Sequence, residues 1–301
     1  MARLELHRSS SIESFRAAQV DTGATRTGPE ELYLDLMKRV LTRSGFESDY
    51  GPIHLRKGST RALVPTLGLR LLRRSGFDLR RRVYVDAAAR AEGRDWPSEA
   101  ETMVGLRRLD HLQGCIADIL SKDVPGDLIE TGVWRGGASI FMRAALGAFG
   151  DTDRVVWVAD SFAGLPKPEP EAYPHDRGDR HWTLRALAVS RRAVEANFAR
   201  YGLLDEQVRF LEGWFKDTLP DAPIENLSII RLDGDMYQST MEALQALYPK
   251  LSIGGYLIVD DYGNDCLPAC RQAVEDFRAE FGISEVIEEI DWTGVSWQRL
   301  R

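Results

Sequence analysis

The chain has 301 residues, 44% of them hydrophobic, and a formal net charge of −7 from 46 acidic and 39 basic side chains. That length and apolar content support one full core plus an appendage, and the acidic balance argues against a nucleic-acid binder. No apolar run approaches the roughly 20 residues of a membrane helix, the first residues lack the apolar centre of a signal peptide, and an odd count of three cysteines points away from a disulfide framework and to a reducing, cytoplasmic compartment.

Residues 1–28 are rich in Ser, Thr, Gly and Arg without periodicity and read as a disordered leader. Pro29 opens a helix in which Leu32, Leu36 and Val40 recur at i+4 spacing, with Glu30 and Glu31 where the helix dipole favours acids. Residues 56–82 carry nine Lys or Arg against one Asp. Leu67, Leu71 and Leu72 give that stretch a partly helical face. It reads as a solvated face, or as a contact for an acidic substrate group or a partner subunit. Trp96-Pro97-Ser98 breaks the chain. A second helical pattern then runs from Glu99 to Leu120 with Met103, Leu106, Leu109 and Leu112. Residues 29–122 thus form a helical cap region ahead of a second domain at 123–301.

From Asp127 strand and helix alternate. Strands are expected near 127–132, 154–159, 207–212, 227–233 and 255–260, and helices over 136–149, 183–201, 238–250 and 267–281. This alternation specifies an α/β fold with a doubly wound, mostly parallel sheet. Ile283–Ile290 and Trp292–Leu300 read as a closing antiparallel hairpin around Thr293-Gly294. Cys266 and Cys270 have no further soft ligand nearby and read as ordinary thiols.

Ligands of such sheets sit in the crevice at the carboxyl ends of the strands. Asp233-Gly234-Asp235 ends one apolar strand and Asp260-Asp261 another, and neighbouring strands lie about 4.8 Å apart. Asp233, Asp260 and Asp261 can therefore converge. Carboxylates that close repel one another unless a cation lies among them, and hard oxygen donors suit Mg²⁺.

The first strand of the sheet runs into Glu130-Thr131-Gly132-Val-Trp-Arg-Gly136-Gly137-Ala-Ser139. Gly132 lets the backbone turn tightly against a ligand, and Gly136 and Gly137 let the next helix start close to the strand. The dinucleotide fingerprint Gly-x-Gly-x-x-Gly is absent. Glu130, two residues ahead of the first glycine, is instead typical of S-adenosylmethionine binders, whose cofactor brings no phosphate to a helix N-terminus. Asp160, followed by Ser161, ends the second strand and can accept both ribose hydroxyls. Gly213-Trp214 follows the third strand; the indole covers an adenine ring or packs in the core. The long polar segment between Ser161 and Trp182 reads as a lid. Its His175 and His181 orient substrate, shuttle a proton or stand exposed.

With these residues in view, the chain resembles the macrocin O-methyltransferase family. The resemblance is carried by Glu31–Lys38, Ala100–Asp110, Asp127–Gly137, Asp160–Pro166, Arg231–Tyr237 and Val259–Gly263. It implies a class I, Rossmann-like, Mg²⁺- and S-adenosylmethionine-dependent O-methyltransferase. The acceptor it implies is a sugar hydroxyl, within a vicinal diol, on an antibiotic or a similar glycosylated small molecule, and the assembly a homo-oligomer, dimer or tetramer. By the same resemblance Asp233, Asp260 and Asp261 are metal ligands. Glu130, Thr131, Gly132, Ser139, Asp160 and Ser161 are cofactor contacts, with Asp233 bordering the cofactor too. Met103 falls where the N-terminal helical region meets the site. Gly136, Gly213 and Trp214 join the cofactor set from the residue reading, and His181 and Tyr237 are candidate substrate contacts.

A sugar hydroxyl keeps its proton at neutral pH. A divalent cation on two neighbouring hydroxyls lowers the pKa of the reacting one. A carboxylate, Asp233 or Asp235, then takes the proton, and alignment with the sulfonium methyl does the rest. Catechol methyltransferases use a similar metal site with a lysine three residues after the first aspartate. Met236 stands there instead, which weakens a catechol or phenol acceptor. An NAD-dependent sugar oxidoreductase needs a Tyr-x-x-x-Lys pair or a dinucleotide fingerprint, and neither is in place.

Overall fold

The computed structural model describes residues 28–52, 68, 72, 74–77, 79–264 and 267–301. The leader through residue 27, most of the basic segment 56–82 and Cys266 lie outside the described residues. Ahead of the sheet come α1 (Pro29–Leu41), a small hairpin of β1 (Ser48–Pro52) and β2 (Arg80–Tyr84), α2 (Ala87–Ala91) and α3 (Leu106–Ser121). The strands β3 (Asp127–Thr131), β4 (Val156–Asp160), β5 (Val208–Glu212), β6 (Leu227–Leu232), β7 (Leu251–Val259), β8 (Glu288–Glu289) and β9 (Val295–Gln298) form one sheet in the order β5-β4-β3-β6-β7-β9-β8. The first five in that order run parallel; β9 is antiparallel to β7 and to β8.

Helices on both faces explain the apolar runs, because a strand covered on two sides has no solvent face to alternate with. All six residues of β6 are buried. On one face α1, α3 and α4 (Gly137–Ala148) pack Leu34, Leu41, Ile116 and Phe141 against Val158. On the other, α7 (Tyr237–Leu247) and α8 (Pro268–Phe281) pack Leu244, Val274 and Phe277 against Ile230 and Trp297. The N-terminal helices share the core of the sheet, so residue 122 divides segments of sequence rather than cores. Among the described residues no helix is long and apolar enough to cross a membrane.

Within the region read as a helical cap the β1–β2 hairpin is an addition, and three further elements differ from the sequence expectation. The second helix begins at Leu106 rather than Glu99, because the Glu101 main chain is held from outside: its N–H donates to Leu41 O at 3.0 Å and its carbonyl accepts from Gly137 N at 3.0 Å. The helix expected from 183 is α5 (Arg191–Arg200), started by Ser190, whose hydroxyl accepts from Ala193 N. The closing hairpin pairs only Glu288-Glu289 with Val295-Ser296, its turn held by Asp291 Oδ1 accepting from Thr293 N and Gly294 N.

The chain leaves β3 toward β4 on one side and returns at β6 on the other, so the crevice opens at the carboxyl ends of β3 and β6. Gly132 is required there. Its φ is +83°, and a Cβ would lie 1.8 Å from the carbonyl oxygen of Asp233. The cofactor turn and the first aspartate of the acidic cluster thus touch through their backbones.

Candidate functional site

At the ends of β6 and β7, Asp233, Asp235 and Asp261 each offer a carboxylate oxygen, and these oxygens lie within 4.8 Å of one another. Asp235 is turned into the group by a left-handed backbone, φ +59°. Burial, reinforced by the neighbouring negative charges, pushes all three carboxyls well above the ordinary range. Asp261 Oδ2 is buried without a hydrogen-bond partner among the described residues. Crowded, desolvated oxygens with an unused acceptor are the complement of a hard divalent cation, so the residues fit Mg²⁺.

This cluster and the ligand set expected from the sequence share Asp233 and Asp261. Asp235 belongs to the cluster, whereas Asp260 is held by arginines. Its Oδ2 lies 2.6 Å from Arg108 Nη1 and 2.6 Å from Arg231 Nη2, while Oδ1 is buried and unpartnered. Burial works against its charged form, yet the two guanidiniums outweigh it and hold the carboxyl below its ordinary value. The network extends outward. Arg108 Nε donates to Asp291 Oδ2 at 2.7 Å, and Arg231 Nη1 donates to Glu130 Oε1 and to Asp233 Oδ2, the latter at 3.2 Å. Arg231, on a strand buried on both faces, is compensated by carboxylates all round, as a buried charge must be.

A cavity of about 610 Å³ contains this cluster and continues to the ends of β3, β4 and β5, a volume that suits a nucleoside-sized ligand. Met103, Glu130, Gly132, Asp160, Ser161, Gly213 and Trp214 all border it. Asp160 accepts from Val133 N at 2.8 Å and Phe162 N at 2.7 Å; burial exceeds the effect of these amides and raises its carboxyl. Carboxylate oxygens accept more than one hydrogen bond, so capacity remains for a diol. Thr131, Gly136 and Ser139 do not line the cavity. Ser139 Oγ donates to Glu130 Oε2, and a Cβ on Gly136 would meet Val194 at 2.7 Å. These three shape the loop from behind. Both oxygens of Glu130 are taken by protein donors, which makes it a strut between β3, α4 and β6.

The segment after Ser161 closes one wall through Leu165, Lys167 and His181. Asp176 docks it: its two oxygens accept from Tyr237 N at 2.7 Å and Gln238 N at 2.9 Å, at the start of α7. His175 stacks on Tyr237, with ring centroids 5.0 Å apart. The Tyr237 hydroxyl donates to Asp276, and the side chain lies outside the cavity lining, so its expected substrate contact becomes a docking contact for the lid. Sequence reasoning missed Arg108 and Asp176. Arg231 was visible as the one charge in an otherwise apolar strand.

A family model described as macrocin-O-methyltransferase matches residues 30–299. The 8-demethyl-8-(2,3-dimethoxy-alpha-L-rhamnosyl)-tetracenomycin-C 4'-O-methyltransferase of Streptomyces olivaceus is 53% identical over 272 residues, 89% of this chain and 92% of that one. The demethyldecarbamoylnovobiocin O-methyltransferase of Streptomyces niveus is 47% identical over 283 residues, 94% of this chain and 98% of that one. The solved structure of the O-methyltransferase NovP, 46% identical, covers 90% of this chain and 100% of its own, with a TM-score of 0.76.

Proposed function

The chain belongs to the macrocin O-methyltransferase family and is an O-methyltransferase of class I fold; from that premise we propose that it methylates a sugar hydroxyl of a glycosylated natural product with S-adenosylmethionine and Mg²⁺. What supports this above all is one cavity that joins Asp160 at the end of β4 to Asp233, Asp235 and Asp261 at the ends of β6 and β7. Asp160 takes the ribose hydroxyls, and Trp214 borders the adenine side. Asp233 and Asp261 hold the cation, completed by Asp235 or by the free Oδ1 of Asp260. A bound divalent cation makes a coordinated hydroxyl easier to deprotonate. Arg108 and Arg231 keep the surrounding carboxylates fixed.

The acceptor named for the Streptomyces olivaceus relative already carries methoxy groups at positions 2 and 3 of its rhamnosyl unit. The oxygen beside its reacting 4' hydroxyl is thus an ether oxygen. We extend this to the present chain: the site takes a hydroxyl with an adjacent oxygen, and a free vicinal diol is unnecessary. The unpaired, buried Cys115 and Cys270 agree with a cytoplasmic enzyme, and we propose a homo-oligomer assembled through the N-terminal helices.

Calorimetric titration with S-adenosylhomocysteine, with NAD⁺ as control, tests the cofactor, and turnover with Mg²⁺ or EDTA tests the metal. Asp261→Asn is expected to bind S-adenosylhomocysteine within about threefold of wild type while losing about 10²-fold or more in kcat. Full activity of that variant, or wild-type activity undiminished in EDTA, overturns the metal assignment. Binding of NAD⁺ instead overturns the cofactor.

A further inference from the structure

The carboxylates at the ends of β6 and β7 are held by a chain of alternating charges that ends outside the cavity, on Asp291. This residue stands in the turn between β8 and β9, does not line the cavity and is not a member of the acidic cluster. The turn nonetheless lies beside the cluster. Val295, which follows it, pairs with Val259, the residue before Asp260, and Thr293 O accepts from Gly263 N at 2.8 Å. Both oxygens of Asp291 are in use. Oδ1 accepts from Thr293 N at 3.0 Å and Gly294 N at 2.8 Å, and Oδ2 accepts from Arg108 Nε at 2.7 Å. The side chain is 1% exposed, so water screens this pair little.

Arg108 carries the contact inward. Its Nη1 donates to Asp260 Oδ2 at 2.6 Å, the same oxygen that lies 2.6 Å from Arg231 Nη2. Arg231 Nη1 in turn donates to Asp233 Oδ2 at 3.2 Å. A guanidinium is planar, and two nitrogens of Arg108 are engaged by different carboxylates, so its plane is fixed. Asp260 Oδ2 is fixed with it, and Oδ1, buried and unpartnered among the described residues, is the oxygen left open. The turn grips the stem of Arg108 as well as its head: a Cβ at Gly294 would lie 3.2 Å from Arg108 Cδ. Arg108 also lines the cavity, and its charge already acts on Asp261. Cut loose from Asp291, that charge is free to turn toward the desolvated oxygens of the cluster, where it competes with a cation.

We propose that Asp291 is a positioning residue for the divalent cation: acting through Arg108, it fixes the carboxylates at the ends of β6 and β7 in the arrangement that takes the ion. This rests on the metal reading above and holds whether Asp235 or Asp260 Oδ1 completes the ligand set. Carboxylates behind a metal site orient the groups in front of them, and their loss typically costs about 10–100-fold in affinity. Asp291 acts at one remove from Asp260, which puts its effect at the lower end of that range.

The test uses the full chain saturated with S-adenosylhomocysteine and Mn²⁺ as the probe metal, free Mn²⁺ being read by electron paramagnetic resonance. Asp291→Asn keeps an oxygen for the two amides of the turn and sets an amide N–H against Arg108 Nε, donor against donor. It is expected to weaken Mn²⁺ binding about 10-fold, with the S-adenosylhomocysteine dissociation constant within about threefold. Arg108→Lys keeps the charge but has a single nitrogen, which cannot hold Asp260 and Asp291 in one fixed plane, and is expected to lose Mn²⁺ affinity in the same direction. On the Arg108→Lys background the further effect of Asp291→Asn is expected to be within about twofold, because its route is already cut. Unchanged Mn²⁺ affinity in Asp291→Asn overturns the proposal. So does an undiminished further loss on the Arg108→Lys background, which would make Asp291 a charge acting at a distance. A matching loss of S-adenosylhomocysteine binding overturns it too, since Asp291 would then only hold up the fold. A wild-type chain that binds S-adenosylhomocysteine but no Mn²⁺ overturns the metal reading, and the positioning role falls with it.

Discussion

At Asp160 burial and hydrogen bonding pull in opposite directions. Burial raises the carboxyl, the amides of Phe162 and Val133 lower it, and burial prevails. Only the ionised form offers all its oxygens to the two ribose hydroxyls. Protonation as pH falls through the raised value therefore weakens cofactor binding, and the loss starts above the ordinary carboxylate range. The S-adenosylhomocysteine dissociation constant, followed by calorimetry from about pH 8 to about pH 5, is expected to rise as pH falls. Asp160→Asn is expected to bind more weakly by about 1–3 kcal/mol at the upper end and to lose this pH dependence. A flat wild-type profile would show that Asp160 does not carry the ribose. That Asp160, Asp233 and Asp261 border one cavity was legible because each stands just after or at the end of an apolar strand where the fold class opens its crevice. The arginine contact of Asp260 was not legible, because its partner Arg108 is 152 residues away. The inward turn of Asp235 depends on a left-handed backbone that its sequence neighbours do not announce.

Among the elements, the lid shows how tertiary contacts override local pattern. The stretch 184–190 has helix-compatible residues. Instead, Trp134 Nε1 donates to Ala186 O at 2.9 Å and holds the chain against the glycine loop. Helix α7 in turn has no side-chain cap of its own at Met236. Its first amides are satisfied from the lid, by Asp176, which serves as a capping carboxylate supplied from distant sequence. Replacing it with Ala leaves two buried donors without a partner. Asp176→Ala is expected to cost about 0.5–2 kcal/mol, read as a lower melting temperature. Trypsin is expected to cut faster at Arg177 and Arg180 as the lid loosens. Unchanged proteolysis would show that the stacking of His175 on Tyr237 holds the lid without Asp176. The strands of the parallel sheet were readable within a few residues, because burial on both faces writes itself into composition. The segment 99–105 was not, since main-chain bonds to Leu41 and Gly137 fix it as an extended crossing.

Over the whole molecule, the N-terminal region belongs to the catalytic body. Leu34, Met37 and Leu41 of α1 join the same core as Phe141 and Val158, and Arg108 of α3 pairs with Asp260 after β7 and Asp291 after β8. The core-facing row of α1 is therefore Leu34-Met37-Leu41, not the i+4 row of Leu32, Leu36 and Val40 that first meets the eye. Leu32 and Leu36 stand 62% and 59% exposed, with Tyr33 beside them at 38%. With apolar residues on both its inner and outer faces, α1 carries hydrophobic surface that the described residues leave open. The homo-oligomer proposed above would cover this face, since a two-fold contact buries each residue twice. Four leucine side chains leaving water contribute about 1.5–3 kcal/mol each at full burial. Half of that total, about 3–6 kcal/mol, shifts association by about 10²- to 10⁴-fold. The double substitution Leu32→Glu/Leu36→Glu is expected to convert an oligomer to a monomer in multi-angle light scattering. Because neither side chain is in the core, the far-ultraviolet circular dichroism is expected to stay unchanged. An oligomer that survives the double substitution places the interface elsewhere. A wild-type monomer at tens of micromolar removes the assembly, and leaves the outer face of α1 without a second copy of the chain to explain it.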